Sequence, residues 1–350
     1  MSIIDKKEVI LTGDRPTGPL HLGHYLGSLI NRINMQDTHD QYILVADMQA
    51  LTDNAETPEK VSENVLEVVM DYLAVGIDPI KSKIVLQSQL PDIALLSMIY
   101  SNLVTVSRVE RNPTVKGELV QKGLERNIPL GFFSYPVSQA ADITAFKATV
   151  IPAGQDQLPM IELTNEIIRR FNRIYNTDIL PETEAIVPKV GRLIGIDGKA
   201  KMSKSLANGI NLKATPKEIE ESVKRMYTDP QHIHVSDPGN VEGNVVFSYL
   251  DAFDPDIEGL ENLKAHYRRG GLGDGVVKKR LNGILQDLIS PIRTERNRIE
   301  KDLGEVIRAI EYGTEKANTV VNTTLLEVKS AMGIDYNKNW EKLLREGKPL

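Results

Sequence analysis

The chain has 350 residues with 41% hydrophobic and 26% charged residues and a formal charge of −6. That length buries a large core and suits two domains, and the composition is that of an ordinary globular protein. The acidic balance excludes a uniformly basic nucleic-acid coat, though not a local basic face, and the absence of cysteine excludes disulfides and thiolate metal sites. No apolar run approaches the roughly 20 residues that span a bilayer. The opening MSIIDKKEVI lacks the long apolar core of a signal peptide, so a cytoplasmic location is expected.

In chain order, residues 8–12 (EVILT) predict a short buried strand, followed by the Gly/Pro turn GDRPTGP. From His21 to about Met35, Leu22, Leu26, Leu29, Ile30 and Ile33 recur at helical spacing, and residues 42–46 (YILVA) give a second strand ending at Asp47. Strand, helix and strand in so short a span imply a parallel βαβ unit. Thr57-Pro58 then predicts a helix start, with threonine as N-cap and proline at the first helical position. Its buried face is Val61, Val65, Val68, Val69 and Leu73, and Gly76 ends it. A third strand is expected at 84–87 and a helix over about 92–105, then a strand at 150–154 and a helix over about 157–173. After about residue 190 long helical patterns dominate, at 216–227, 276–301 and 303–331. Parallel sheets bind ligands beyond the carboxyl ends of their strands. The polar clusters GDRPTGPLHLGH, Asp47 and Gly154-Gln155-Asp156-Gln157 all fall there.

Two stretches carry chemistry. In HLGH, His21 and His24 lie three apart at a helix start, where unpaired backbone N–H groups and the positive dipole end favour an anion. Gly23 lets a flat base or a phosphate approach the backbone. A metal needs a third ligand that the spacing does not supply, and a plainly capped helix start remains an equal reading. In GRLIGIDGKAKMSKSLANG, glycines flank Lys201-Met202-Ser203-Lys204-Ser205, which predicts a mobile loop. Two lysines and two hydroxyls suit a polyphosphate whose charge grows during reaction. No GxxxxGK[ST] is present, so a P-loop is excluded.

Taken together, HLGH and KMSKS resemble the signature pair of class I aminoacyl-tRNA synthetases. The finer resemblance is to the tryptophanyl-tRNA synthetases. TGDRPTGPLHLGHYLGSL, VADMQALTDN, YPVSQAADI, IPAGQDQLPMIELTNEI, KMSKSLANGI, SPIRTERN and GTEKAN carry it, in order, from about residue 9 to 333.

The resemblance implies an α/β fold: a Rossmann-like parallel sheet domain with helices on both faces over 1–194, plus a smaller all-helical domain. Residues 195–305 would hold the KMSKS loop and an anticodon-binding domain, with a helix over about 306–335 packing back on the sheet. It implies activation of L-tryptophan by ATP and Mg²⁺, transfer to tRNA(Trp), a homodimer, and no resident metal site or membrane partner. His21, His24, Lys201 and Lys204 would be catalytic. Arg15, Gly23, Lys116, Asp156, Met202, Ser203 and Ser205 would join them around ATP. Tyr135, Gln139, Asp142, Gln157 and Gln49 would bind tryptophan, with the Asp142 carboxylate accepting the indole N–H.

Gln49 and Gln139 stand where the family often has histidine and methionine, and Arg15 replaces a frequent glutamine. The two pocket glutamines keep tyrosyl-tRNA synthetase open as an alternative; a catalytically idle paralogue is the other, although both signature stretches retain their histidines and lysines. The basic residues Arg268, Arg269, Lys278, Lys279, Arg280, Arg293, Arg296 and Arg298 are candidates for tRNA phosphate contacts, with a solvated helix face as the competing reading.

Overall fold

The computed structural model describes residues 7–123, 128–187, 193–200, 202 and 206–346. The first half begins with β1 (Val9–Asp14), α1 (Leu22–His24), a π-helical segment (Tyr25–Leu29) and α2 (Ile30–Met35). It continues through β2 (Asp40–Val45), α3 (Asp47–Asn54), α4 (Pro58–Ala74) and β3 (Ser82–Leu86). Next come α5 (Pro91–Ser101), α6 (Val106–Glu110), α7 (Pro113–Lys122) and α8 (Leu130–Ala145). It closes with β4 (Val150–Pro152), α9 (Leu158–Ile174) and β5 (Glu184–Ile186). The second half is helical: α10 (Pro216–Arg225), α11 (Val245–Phe253), α12 (Ile257–Arg269), α13 (Asp274–Ile299), α14 (Leu303–Ala331) and α15 (Tyr336–Glu346).

The five strands form one parallel sheet in the order β3-β2-β1-β4-β5. The two-residue period of a strand divides β2 cleanly, sending Tyr42 and Leu44 to one face and Ile43 and Val45 to the other. Both faces are covered, as a parallel sheet requires. Tyr42, Leu44 and Val85 pack with Leu96, Tyr100, Phe132, Ala141 and Ile167 from α5, α8 and α9. Ile43, Val45 and Ile84 pack with Val68, Val69 and Tyr72 of α4, and this core continues into Val245, Leu281, Leu285 and Ile289 of the helical half. The two halves therefore share one apolar core across the expected boundary near residue 194.

α14 lies along the edge strand β3. The Leu86 N–H donates to Thr314 Oγ1 at 3.1 Å, so a helix hydroxyl satisfies a strand donor that an open edge would leave bare. The approach needs Gly313, because a Cβ there would sit 2.1 Å from the Ile84 carbonyl oxygen. A second tie crosses from the helical half. Arg296, 2% exposed, donates to Asp71 Oδ1 at 2.8 Å and to Glu67 Oε2 at 2.7 Å. Asp71 Oδ2 accepts the Leu20 N–H at 2.7 Å, one residue before His21.

Several expectations shift. The third strand stops at Leu86, and Gln87 opens a 3-10 turn. The helix expected over 92–105 ends at Ser101 and restarts as α6. The short β5, only three residues and largely exposed, has too little apolar pattern to be read from sequence. Thr57 precedes α4 as expected, but its side chain makes no capping bond. Gly76 follows the helix end with φ of 98°, the left-handed backbone that favours glycine. Among the described residues no helix is long and apolar enough to cross a membrane.

Candidate active site at the carboxyl ends of the strands

The segment leaving β1 turns through GDRPTGP and enters α1, where the two signature histidines cap the helix themselves. His21 Nδ1 accepts the Gly23 N–H at 3.1 Å, and His24 Nδ1 accepts the His21 N–H at 3.3 Å. Their ring centroids are 3.9 Å apart. A neutral imidazole that accepts at Nδ1 carries its proton on Nε2, so both rings are fixed as Nε2–H donors. The capped start is observed, and it is compatible with the anion-site reading because the cap orients the rings. The next turn, Tyr25–Leu29, is π-helical, a widening that frequently accompanies functional sites.

The chain following the second signature docks on the first. Leu22 N–H donates to the Ile210 carbonyl at 2.9 Å, and Leu212 N–H to the Leu20 carbonyl at 3.0 Å. Met202, expected in a mobile loop, is an anchor instead. It is 6% exposed, its sulfur lies 3.3 Å from the Gly23 nitrogen, and its N–H donates to the Leu193 carbonyl. A Cβ on Gly23 would come within 2.9 Å of the His21 ring, and one on Gly209 within 2.8 Å of Met202 Cγ. Lys201, Ser203, Lys204 and Ser205 lie outside the described residues.

Between the ends of β1, β2 and β4 opens a cavity of about 410 Å³. Arg15, Gln49, Tyr135, Gln139, Asp142 and Gln157 all line it, which brings together every residue predicted for the amino acid. Asp142 is 3% exposed on α8. Its Oδ2 accepts Gln49 Nε2 at 2.6 Å and its Oδ1 accepts Gln87 Nε2 at 2.8 Å. Gln87 Oε1 in turn accepts the Gln49 backbone N–H at 3.2 Å, closing a ring of three residues. Burial raises the Asp142 pKa to about 7, and the two amide donors only partly oppose it. Each carboxylate oxygen takes one amide donor and retains further acceptor capacity for a ligand.

Gln87 was missed in the sequence, although its place directly after β3, level with Ala46 just before Asp47, is the signal that could have found it. Asp14 and Arg32 were missed as well. They line the cavity as an ion pair between the buried Arg32 and the partly buried Asp14, Arg32 Nη1 to Asp14 Oδ2 at 2.7 Å, with Tyr72 Oη donating to the same oxygen at 2.7 Å. Arg15 holds Asp53 at 3.2 Å while its guanidinium lies 5.4 Å from the Tyr135 ring centroid.

Lys116 is exposed and outside the cavity lining; two residues along the same helix, on a different face, Glu118 lines it instead. Asp156 is exposed just after β4, with its Oδ2 accepting from Gln157 Nε2 at 3.3 Å. Of the basic residues considered for tRNA, Arg296 is withdrawn into the Asp71–Glu67 pair and is a structural residue. Arg293 donates to the Ala214 carbonyl, Arg280 binds Asp254 and Asp256, and Lys278 donates to the Lys224 and Met226 carbonyls. Arg268 and Arg298 pair with acidic neighbours, whereas Arg269 and Lys279 stand exposed.

A parallel sheet with an HxGH helix start after β1, on which Met202 of the second signature packs, is the arrangement expected of a class I synthetase. The family pattern of the class I tRNA synthetases (W and Y) matches residues 5–290. A tryptophan–tRNA ligase of Clostridium longisporum is 58% identical over 337 residues, covering 95% of this chain and 99% of that one. One from Streptococcus pneumoniae is 54% identical, covering 94% and 99%. The solved structure of the Campylobacter jejuni tryptophanyl-tRNA synthetase, complexed with ADP and tryptophan, superposes with a TM-score of 0.81 at 30% identity, covering 93% of this chain and 99% of that one. The chain belongs to the class I aminoacyl-tRNA synthetases, in their tryptophan–tRNA ligase family.

Proposed function

We propose that the chain activates L-tryptophan with ATP to tryptophanyl-adenylate and pyrophosphate, and then transfers tryptophan to the terminal ribose of tRNA(Trp). The observation that carries this is Asp142: a buried carboxylate on the wall of a cavity of about 410 Å³, held by two amides as an acceptor. In that role it accepts the indole N–H, with Gln49, Gln139, Tyr135 and Gln157 around the substrate.

A tryptophan carboxylate oxygen bonds to the α-phosphorus as the bond to the bridging oxygen breaks, and pyrophosphate leaves. His21 and His24 donate from Nε2 to the phosphates, and Gly23 admits the adenine. Arg15 flanks the nucleotide at the cavity mouth, and Asp156 accepts from the ribose. Lys201 and Lys204, with Ser203 and Ser205, meet the departing charge, and Met202 fixes that loop to the helix start. Lys116 reaches the phosphates only through a movement of α7. Mg²⁺ enters as part of the Mg·ATP substrate and neutralises phosphate oxygens while the chain's residues position them.

Residues 195–305 serve tRNA binding, with Arg269 and Lys279 the exposed cations for phosphate contact. The enzyme works as a cytoplasmic homodimer. ATP–pyrophosphate exchange with tryptophan, tyrosine or no amino acid tests the reading. Exchange with tryptophan alone supports it. Exchange with tyrosine transfers the error to the cavity residues, and none with either refutes the activity.

A further inference from the structure

Outside the cavity, a buried carboxylate grips the chain where it enters the signature helix. Leu20, fully buried just before His21, belongs to neither a strand nor a helix, so no regular ladder serves its N–H. A buried N–H left without an acceptor is costly, and Asp71 Oδ2 supplies one at 2.7 Å. Asp71 is itself fully buried on α4, the helix packed on Ile43 and Ile84 of the sheet. It therefore gives the helix start a fixed point on the sheet half. A buried carboxylate needs a cation in turn, and Arg296 Nε of α13 meets Oδ1 at 2.8 Å.

The segment 206–214, which follows the KMSKS signature, is drawn into the same knot. The Leu20 carbonyl accepts the Leu212 N–H, and the Leu22 N–H donates to the Ile210 carbonyl, so His21 is flanked on both sides by bonds to that segment. Arg293 ties the segment to α13 by donating to the Ala214 carbonyl at 2.7 Å. Lys213 Nζ ties it to α4 by donating to Glu67 Oε2 at 2.6 Å, and Arg296 Nη2 meets the same oxygen at 2.7 Å. Glu67 and Asp71, at i and i+4, share a face of α4 but differ in task. Glu67 joins the segment to the helical half, whereas Asp71 joins the helical half to the helix start.

We infer that Asp71, held by Arg296, is a positioning residue for the activation reaction: through Leu20 it sets where the His21 and His24 rings meet the ATP phosphates. This rests on the nucleotide reading of that helix start. Both side chains are buried and lie outside the lining of the amino-acid cavity, so they act on placement rather than by contact. A misplacement of about 1 Å at a reacting centre costs on the order of 10²-fold in rate.

The test is pyrophosphate exchange by Asp71→Asn, Arg296→Ala and Arg296→Lys, with Glu67→Gln as the control, all assayed well below their unfolding midpoints. Asparagine keeps the outline, but its oxygen can face only one of Leu20 and Arg296, and its amide N–H groups then oppose the other. In Asp71→Asn and Arg296→Ala, kcat should fall at least about 10-fold while KM for tryptophan stays within about twofold. Arg296→Lys keeps a cation for Asp71 and should recover part of the loss. Glu67→Gln loosens the halves but spares the Leu20 bond, so its kcat should stay within about threefold. If Asp71→Asn does not fold, Arg296→Lys against Glu67→Gln decides: the lysine variant should have the lower kcat at equal KM. A loss carried by KM for tryptophan, or an equal fall of kcat in Glu67→Gln, overturns the assignment. If the unaltered protein catalyses no exchange, the functional reading falls and this inference with it; if it does and Asp71→Asn matches it, this inference falls alone.

Discussion

Asp142→Asn separates what the buried carboxylate does for binding from what it costs the fold. The ordinary value for this carboxyl is 3.8, and burial raises it to about 7 in the folded protein. Between those values the folded chain holds a proton that the unfolded chain has released, so stability falls as pH rises through that window. At pH 8 the difference of about three pKa units costs about 4 kcal/mol, and at pH 5 about 2 kcal/mol. Asparagine has the same outline and no charge, so the variant lacks this pH dependence. The stability difference between variant and parent, from urea unfolding, should therefore shift by about 2 kcal/mol or more in the variant's favour from pH 5 to pH 8. Binding runs the other way. The free enzyme's carboxylate is about one-tenth ionised at pH 6 and about nine-tenths at pH 8, so kcat/KM for tryptophan should rise about tenfold over that interval. In Asp142→Asn it should be low and free of that rise. Parallel stability curves for the two proteins would refute the reasoning, because they would mean that the carboxyl titrates alike in both states.

Arg296→Ala should cost about 3–5 kcal/mol in urea unfolding, since it leaves Asp71 buried without its cation. A loss below about 1 kcal/mol would mean that the pair does not hold the two halves together. Gly313→Ala should destabilise by about 3 kcal/mol despite alanine's better helix propensity, because the new methyl meets the β3 backbone on which α14 rests. A stabilised variant would show that α14 can lift from the strand.

Much of the sheet half was legible because apolar runs alternated with helical spacing and ended in Gly/Pro turns. The amino-acid residues were legible through family segments, and all of them meet in one cavity. The rest depended on relations that no local pattern encodes. The place of Gln87 after β3 marks it as a candidate, but its pairing with Asp142 became visible only once the strands lay side by side. SPIRTERN read as part of a basic surface, yet the α4 face it packs on is acidic at Glu67 and Asp71, and Arg296 is buried there. GTEKAN gains its meaning from β3, where Gly313 supplies clearance and Thr314 an acceptor. Met202 read as loop because its flanking glycines signal freedom, whereas Gly209 and Gly23 provide the space that seats its sulfur.

The central claim is that Asp142 reads the indole N–H. The direct measurement compares kcat/KM in pyrophosphate exchange for tryptophan and β-(3-benzothienyl)alanine, which replaces that N–H with sulfur. The parent should favour tryptophan on the order of 10⁴-fold, as sites built around a substrate donor do. In Asp142→Asn the preference should fall to within about tenfold. Comparable rates for the two amino acids in the parent enzyme would contradict the account.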